Sequence, residues 1–172
     1  MNIKKAGYVD NMKYTGQAPP LSDQEIESML KGNRRAIICT HNVDGTIHAV
    51  PVDYRYMDGR VMLLSFETSR KTRNIKRNKN VTVLVFEEPP PKSTSFKGIM
   101  IYGKAKLEYD NVLSKTVTLL ETSKIPREKL QRFVQAYLEK VKCVIVRIKP
   151  EHMVSFDYSK DEVYKDLAKL IS

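Results

Sequence analysis

The chain has 172 residues, 41% of them hydrophobic, enough for one sizeable core and too few to argue for two, so a single domain over 1–172 is expected. A formal charge of +10 implies an anionic partner without choosing among a phosphorylated cofactor, an acidic substrate and nucleic acid. No apolar run is long enough to span a bilayer, the opening residues are polar rather than signal-like, and Cys39 and Cys143 lie in apolar runs where a thiol acts as a small hydrophobe; a soluble cytoplasmic protein with neither disulfides nor a metal is the expectation.

Residues 1–20 lack sustained periodicity and end in Pro19-Pro20, which reads as an extended arm or lead-in strand. Leu21 to Gly32 carries full helix punctuation: Ser22 and Glu25 form a capping box, Leu21 and Ile26 a hydrophobic staple, and Gly32 the stop. Ala36 to Thr40 reads as a short buried strand, Asp44-Gly45 as a hairpin turn, and Thr46 to Tyr56 as the second strand. Asp58-Gly59 turns the chain into a third strand, Val61 to Phe66. A polar helix comes next, ending near Lys79, and then a β-branched strand, Val81 to Phe86. Glu87 to Ser95, with three consecutive prolines, is expected to be an exposed loop.

Lys97 to Tyr109 predicts a long strand, with Gly98 and Gly103 as points of bulging or close approach. Asn111 to Glu121 has helical spacing, and a further helix has Pro126 at its first position and Leu130, Phe133, Val134, Tyr137 and Leu138 as its buried stripe. Cys143 to Ile148 and Met153 to Phe156 read as two strands, and Lys160 to Ile171 as a last helix with Ser159 and Glu162 as its capping box. Consecutive hairpins with one short helix between strands predict a mainly β protein with peripheral helices (α+β), its mostly antiparallel sheet closing or half-closing into a small barrel.

The stretch from Ser65 to Asn74 breaks a local rule. Thr68 or Ser69 can cap the polar helix, but Arg70 and Lys71 then add positive charge to the end that already carries the positive pole of the helix dipole. Local electrostatics favours Asp or Glu there, so the pattern points to an external anion, such as a phosphate, lying on the free amides and the two cations. The competing reading is a solvated basic face, since positions 70, 71, 73, 76, 77 and 79 are all Lys or Arg. His41, His48 and His152 are too scattered for a metal site, Asp53 and Arg55 can pair on one strand face, and no acid–base pair stands out.

Three stretches in register resemble the pyridoxamine 5'-phosphate oxidase-like split β-barrel family: Thr46-Ile47-His48-Ala49-Val50-Pro51-Val52, then Ser69-Arg70-Lys71 with Asn74 and Asn78-Lys79-Asn80-Val81, then Ile99-Met100-Ile101-Tyr102-Gly103-Lys104-Ala105. The resemblance implies an FMN-binding split barrel that works as a homodimer with the cofactor at the subunit interface. It implies that Ser69, Arg70 and Lys71 hold the FMN phosphate, with Asn74 on the phosphate or the ribityl chain. It also implies that Val50, Pro51, Val52 and Asp53 border the isoalloxazine ring, that Ser65 and Phe66 line the flavin, and that Lys97 and Gly98 approach from the second subunit. The chain departs from true pyridoxamine phosphate oxidases, which place Arg and Lys along the second strand and carry a Trp- and Arg-containing C-terminal signature; this chain has no Trp, and vitamin B6 oxidation is not expected.

The function implied by the resemblance is a flavin-dependent oxidoreductase acting on an unidentified small molecule, with a nicotinamide as one candidate reductant and catalytic residues unassigned. Alternatives on the same fold are a deazaflavin coenzyme, whose acidic tail suits the +10 charge, a non-catalytic flavin carrier or sensor, and haem. Nucleic acid is disfavoured, because the run from Arg70 to Lys79 contains no aromatic residue.

Overall fold

The structure, a computed structural model, describes residues 18–32, 34–87, 96–121 and 124–161, together with Lys165 and Lys169. The expected arm up to residue 17, the proline loop beyond Glu87 and nearly all of the last helix, with Glu162 of its capping box, therefore lie outside the described residues. Among the described residues, the helices α1 (Asp23–Gly32), α2 (Arg70–Arg77), α3 (Val112–Leu120) and α4 (Arg127–Lys140) accompany seven strands: β1 (Arg35–His41), β2 (Ile47–Asp53), β3 (Arg55–Met57), β4 (Arg60–Phe66), β5 (Asn80–Glu87), β6 (Lys97–Glu108) and β7 (Cys143–Asp157).

The strands form one sheet in the order β2-β1-β5-β6-β7-β4-β3, every neighbouring pair antiparallel. Its two edge strands, β2 and β3, are joined by a single residue, Tyr54. A flat seven-stranded sheet would hold those edges about 29 Å apart, at roughly 4.8 Å per strand spacing, whereas one linking residue spans only about 7 Å. The sheet must therefore curl until its edges meet, which makes it a split β-barrel with its corner at Tyr54. That corner is pinned: Tyr54 is 3% exposed, its N–H donates to Arg34 O at 2.8 Å, and its hydroxyl donates to Leu30 O at 3.1 Å. Burial also pushes the Tyr54 phenol above its ordinary pKa.

Inward residues of alternating strands fill the barrel, with Ile38, Leu63, Val83, Ile101 and Ile148 all fully buried. The predicted capping box forms at the start of α1, where Ser22 N–H donates to Glu25 Oε2 at 2.7 Å and Glu25 N–H to Ser22 Oγ at 3.3 Å. Asp58 and Gly59 both take positive φ, as a two-residue hairpin requires. Both predicted close approaches are real: a β-carbon on Gly98 would lie 2.5 Å from the Phe156 ring, and one on Gly103 would run into the Lys149 carbonyl oxygen.

Four expectations need correction. The long second strand breaks at Tyr54, so Asp53 and Arg55 lie on different strands; Asp53 faces Arg35 across β1, and Arg55 instead donates to Glu121 O. The two strands expected after Lys142 are one, β7, because Pro150 falls opposite Gly103 at a register shift where the ladder is already interrupted. Pro126 stands at the cap of α4 rather than inside it. Phe133 is 63% exposed and stacks on Tyr137, leaving Leu130 and Val134 to pack against Val117 of α3.

Candidate functional site

Strand β4 ends at Phe66, and three residues later Ser69 caps α2, its side chain accepting the Thr72 amide at 3.3 Å. Between the two cap candidates the structure selects Ser69. At the third helical position, where a capping box would carry Glu or Gln, stands Thr72, which is fully buried. Its hydroxyl donates to Phe66 O at 2.9 Å, and the oxygens of Ser65, Ser69 and Thr72 form a triangle with sides of 2.8 to 3.0 Å. A hydroxyl carries one hydrogen. With Thr72 committed to Phe66 O and Ser65 able to donate to Thr72, the Ser69 hydrogen can turn outward without stranding a buried group.

The helix start has the electrostatics the sequence predicted. No acidic residue lies in the first turn of α2, and among the described residues the amides of Arg70 and Lys71 have no acceptor. Arg70 is exposed; it lies near Asp44, whose carboxyl is held below its ordinary pKa mainly by hydrogen bonds from Thr46, with Arg70 adding to them. Lys71 is half-buried, and burial pushes its ammonium below the usual lysine range while no carboxylate pairs with it among the described residues. Glu67, the nearest acid in sequence, pairs with Lys76 at 3.6 Å. An N-terminus with two free amides, a free hydroxyl hydrogen and a desolvated cation has donor chemistry that fits a phosphate.

Asn74 is placed differently from the other candidates. It is 3% exposed, donates to Thr40 Oγ1 at 3.1 Å and Asn42 Oδ1 at 3.0 Å, and accepts from Arg77 at 3.3 Å. It braces α2 against β1, so its bearing on a ligand runs through the position of the helix. Of the β2 candidates, Val50 and Val52 turn inward onto the core, whereas Pro51 and Asp53 face out on the edge strand, continuing an exposed row with Ile47 and Ala49. Ser65 is buried within the hydroxyl triangle, and Phe66, beside the helix start, is 45% exposed. Lys97 pairs with Glu87 at 3.0 Å at the far end of β5 from α2, about 25 Å away along eight residues of strand. One chain therefore gathers Ser65, Phe66, Ser69, Arg70 and Lys71 and leaves Lys97 apart. Sequence reasoning missed Thr72, although a hydroxyl residue three positions after a Ser cap, in the absence of any acid, was the available signal.

The family model described as pyridoxamine 5'-phosphate oxidase matches residues 22–153. No curated protein matches the sequence. Among solved structures, a conserved hypothetical protein from Mycobacterium tuberculosis is similar with a TM-score of 0.72 at 22% identity, covering 87% of this chain and 92% of that one. A FAD-binding protein from Mesorhizobium loti is similar with a TM-score of 0.60 at 20% identity, covering 83% and 98%. An F420 reductase is similar with a TM-score of 0.54 at 18% identity, covering 74% and 94%. At these identities the structures share the fold. With the family model spanning most of its length, the chain belongs to the pyridoxamine 5'-phosphate oxidase-like family of split β-barrels.

Proposed function

We propose that the protein binds FMN and acts as a flavin-dependent oxidoreductase on a small molecule. The observation that carries this reading is the start of α2, where a half-buried lysine without a carboxylate partner among the described residues stands beside two free amides and Arg70. The phosphate would lie on the Ser69 hydroxyl, the amides of Arg70 and Lys71, and their side chains. The exposed apolar row Ile47, Ala49 and Pro51 on β2 offers a surface for an aromatic ring system. Bound flavin would supply the redox chemistry, and these residues would supply its position and charge. The FAD-binding protein of the same fold supports a flavin; the F420 reductase supports a deazaflavin as the second reading.

A homodimer belongs to the same proposal. The outward side chains Ile37, Leu84, Met100 and Val154 stand in one cross-strand row over β1, β5, β6 and β7, half-buried in the single chain, and form an apolar face suited to a second copy. Lys97, which one chain cannot bring to its own helix start, would then reach the cofactor of the partner. The absorbance of the purified protein tests the reading directly. Oxidised-flavin bands, in the protein as isolated or after addition of FMN, are the expected result; a deazaflavin spectrum favours the second reading, and no binding of either overturns both.

A further inference from the structure

A second charged surface lies beyond the C-terminal end of α2. On the outward face of the sheet Lys104 stands directly opposite Lys149, and Lys106 directly opposite Arg147, while Ala105 and Ile148 between them point into the core. Like charges directly opposite on neighbouring strands destabilise a sheet, and here they occur twice in succession. The Lys79 carbonyl accepts from Ala105 N–H at 2.8 Å, which brings the basic end of α2 against the same rows. Local acids neutralise only part of the charge. Glu151 pairs with Lys104, and Glu108 is shared among Arg147, Lys115 and, at 4.0 Å, Lys106. Lys79 and Lys149 have no carboxylate partner among the described residues.

Exposed aromatic rings flank these rows. Tyr109 is 51% exposed, with the Lys76 ammonium 5.7 Å from its ring centre. Tyr102 is 39% exposed, stands edge-on to His152 and walls a depression of about 260 Å³ with Thr82, Asn80, His41 and Glu151. That volume falls below the usual range for a whole-ligand pocket and suits a fragment the size of one base. The basic helix has no aromatic in its own sequence; the fold supplies them from β6 and its end.

We propose that this face, formed by β6, β7 and the end of α2, binds single-stranded nucleic acid, with phosphates on Lys79, Lys104, Lys106 and Lys149 and bases on Tyr102 and Tyr109. A single strand rather than a duplex fits, because separate rings on a curved face engage unstacked bases. The lysine rows are distinct from the start of α2, which lies about 12 Å away along the eight-residue helix; Tyr109 stands nearer to it, linked through Lys76 to Glu67 in the turn before Ser69. Binding at this face does not depend on the flavin reading; in the proposed homodimer Tyr102 and His152 stand one outward row from Met100 and Val154, at the border of the face given to the second copy.

The test is fluorescence anisotropy with a short labelled oligothymidylate, titrated at several salt concentrations. The variant Lys106→Glu with Lys149→Glu turns both like-charge pairs into opposite-charge pairs while losing the Lys106–Glu108 contact, so its melting temperature should stay close to that of the wild type. Its affinity should fall by at least about tenfold, and its salt dependence should flatten by about two contacts. The control Lys129→Glu with Arg132→Glu on exposed α4 makes the same change in net charge and should stay within about threefold of the wild type. Tyr109→Ala should weaken binding of the oligothymidylate and leave binding of inorganic polyphosphate unchanged. Equal losses in the two charge-reversal variants, or equal losses of both polymers in Tyr109→Ala, would overturn the proposal, as would a wild type that does not bind.

Discussion

Replacing Lys71 with methionine keeps most of the unbranched side chain, one atom shorter, and removes its charge, and the account predicts opposite signs for its two consequences. In the free protein the Lys71 ammonium is half-buried with its pKa below 10.5. The folded state then holds fewer protons than the unfolded chain between the lowered pKa and 10.5, so this group makes stability rise with pH across that window. At neutral pH the buried charge counts against folding, and Lys71→Met should leave the apo melting temperature unchanged or higher and flatten its alkaline pH dependence. With phosphate present, the same ammonium makes a charge-assisted contact worth about 1.5 to 3 kcal/mol, so the variant should bind FMN roughly ten- to a hundredfold more weakly. Riboflavin, which lacks the phosphate, should bind both proteins alike. Calorimetric titration with the two ligands, alongside thermal melts from neutral to alkaline pH, reads every part of this. Equal loss of FMN and riboflavin, or an apo variant clearly less stable than the wild type, would refute the reasoning by showing that Lys71 serves the fold.

Thr72→Val removes the buried hydroxyl that ties α2 to Phe66 O and should cost about 1 to 3 kcal/mol in denaturant unfolding, whereas Thr72→Ser should restore most of it. Gly103→Ala drives a methyl into the Lys149 carbonyl at the bulge and should destabilise by at least about 1 to 3 kcal/mol, against a near-neutral change for Gly32→Ala, where nothing stands within 4 Å. Glu25, bonded by Lys160 and Ser22, has its pKa lowered to about 2; its contribution is present above 4.5 and lost as pH falls toward 2, so Glu25→Gln should flatten the acid limb of the stability profile in that window.

The readable parts of the sequence were those where a local rule has one outcome. The Ser22–Glu25 capping box, the Asp58-Gly59 turn and the unusual charge at Arg70 and Lys71 are each fixed by neighbours within four residues, and each stands in the structure as expected. What was not readable depends on partners far along the chain. The alternation of Thr46 to Tyr56 runs on through Tyr54, and only the Arg34 and Leu30 carbonyls that receive Tyr54 turn it into the corner of the barrel. Pro150 looks like a strand end until Gly103 is placed opposite it. Asn74 falls in the sequence of a polar helix, and only Thr40 and Asn42, more than thirty residues earlier, bury it. Phe133 has the spacing of a core residue, but the small core between α3 and α4 is filled by Leu130, Val134 and Val117 and leaves its ring outside.

The central claim is that the start of α2 holds a phosphate, and the measurement closest to it compares the affinities of FMN and riboflavin for the wild type and for Arg70→Glu, with the oligomeric state monitored by light scattering. The account predicts that the wild type prefers FMN strongly and that Arg70→Glu abolishes FMN binding while the dimer persists. FMN and riboflavin binding the wild type equally well, or unchanged FMN affinity in Arg70→Glu, would contradict it.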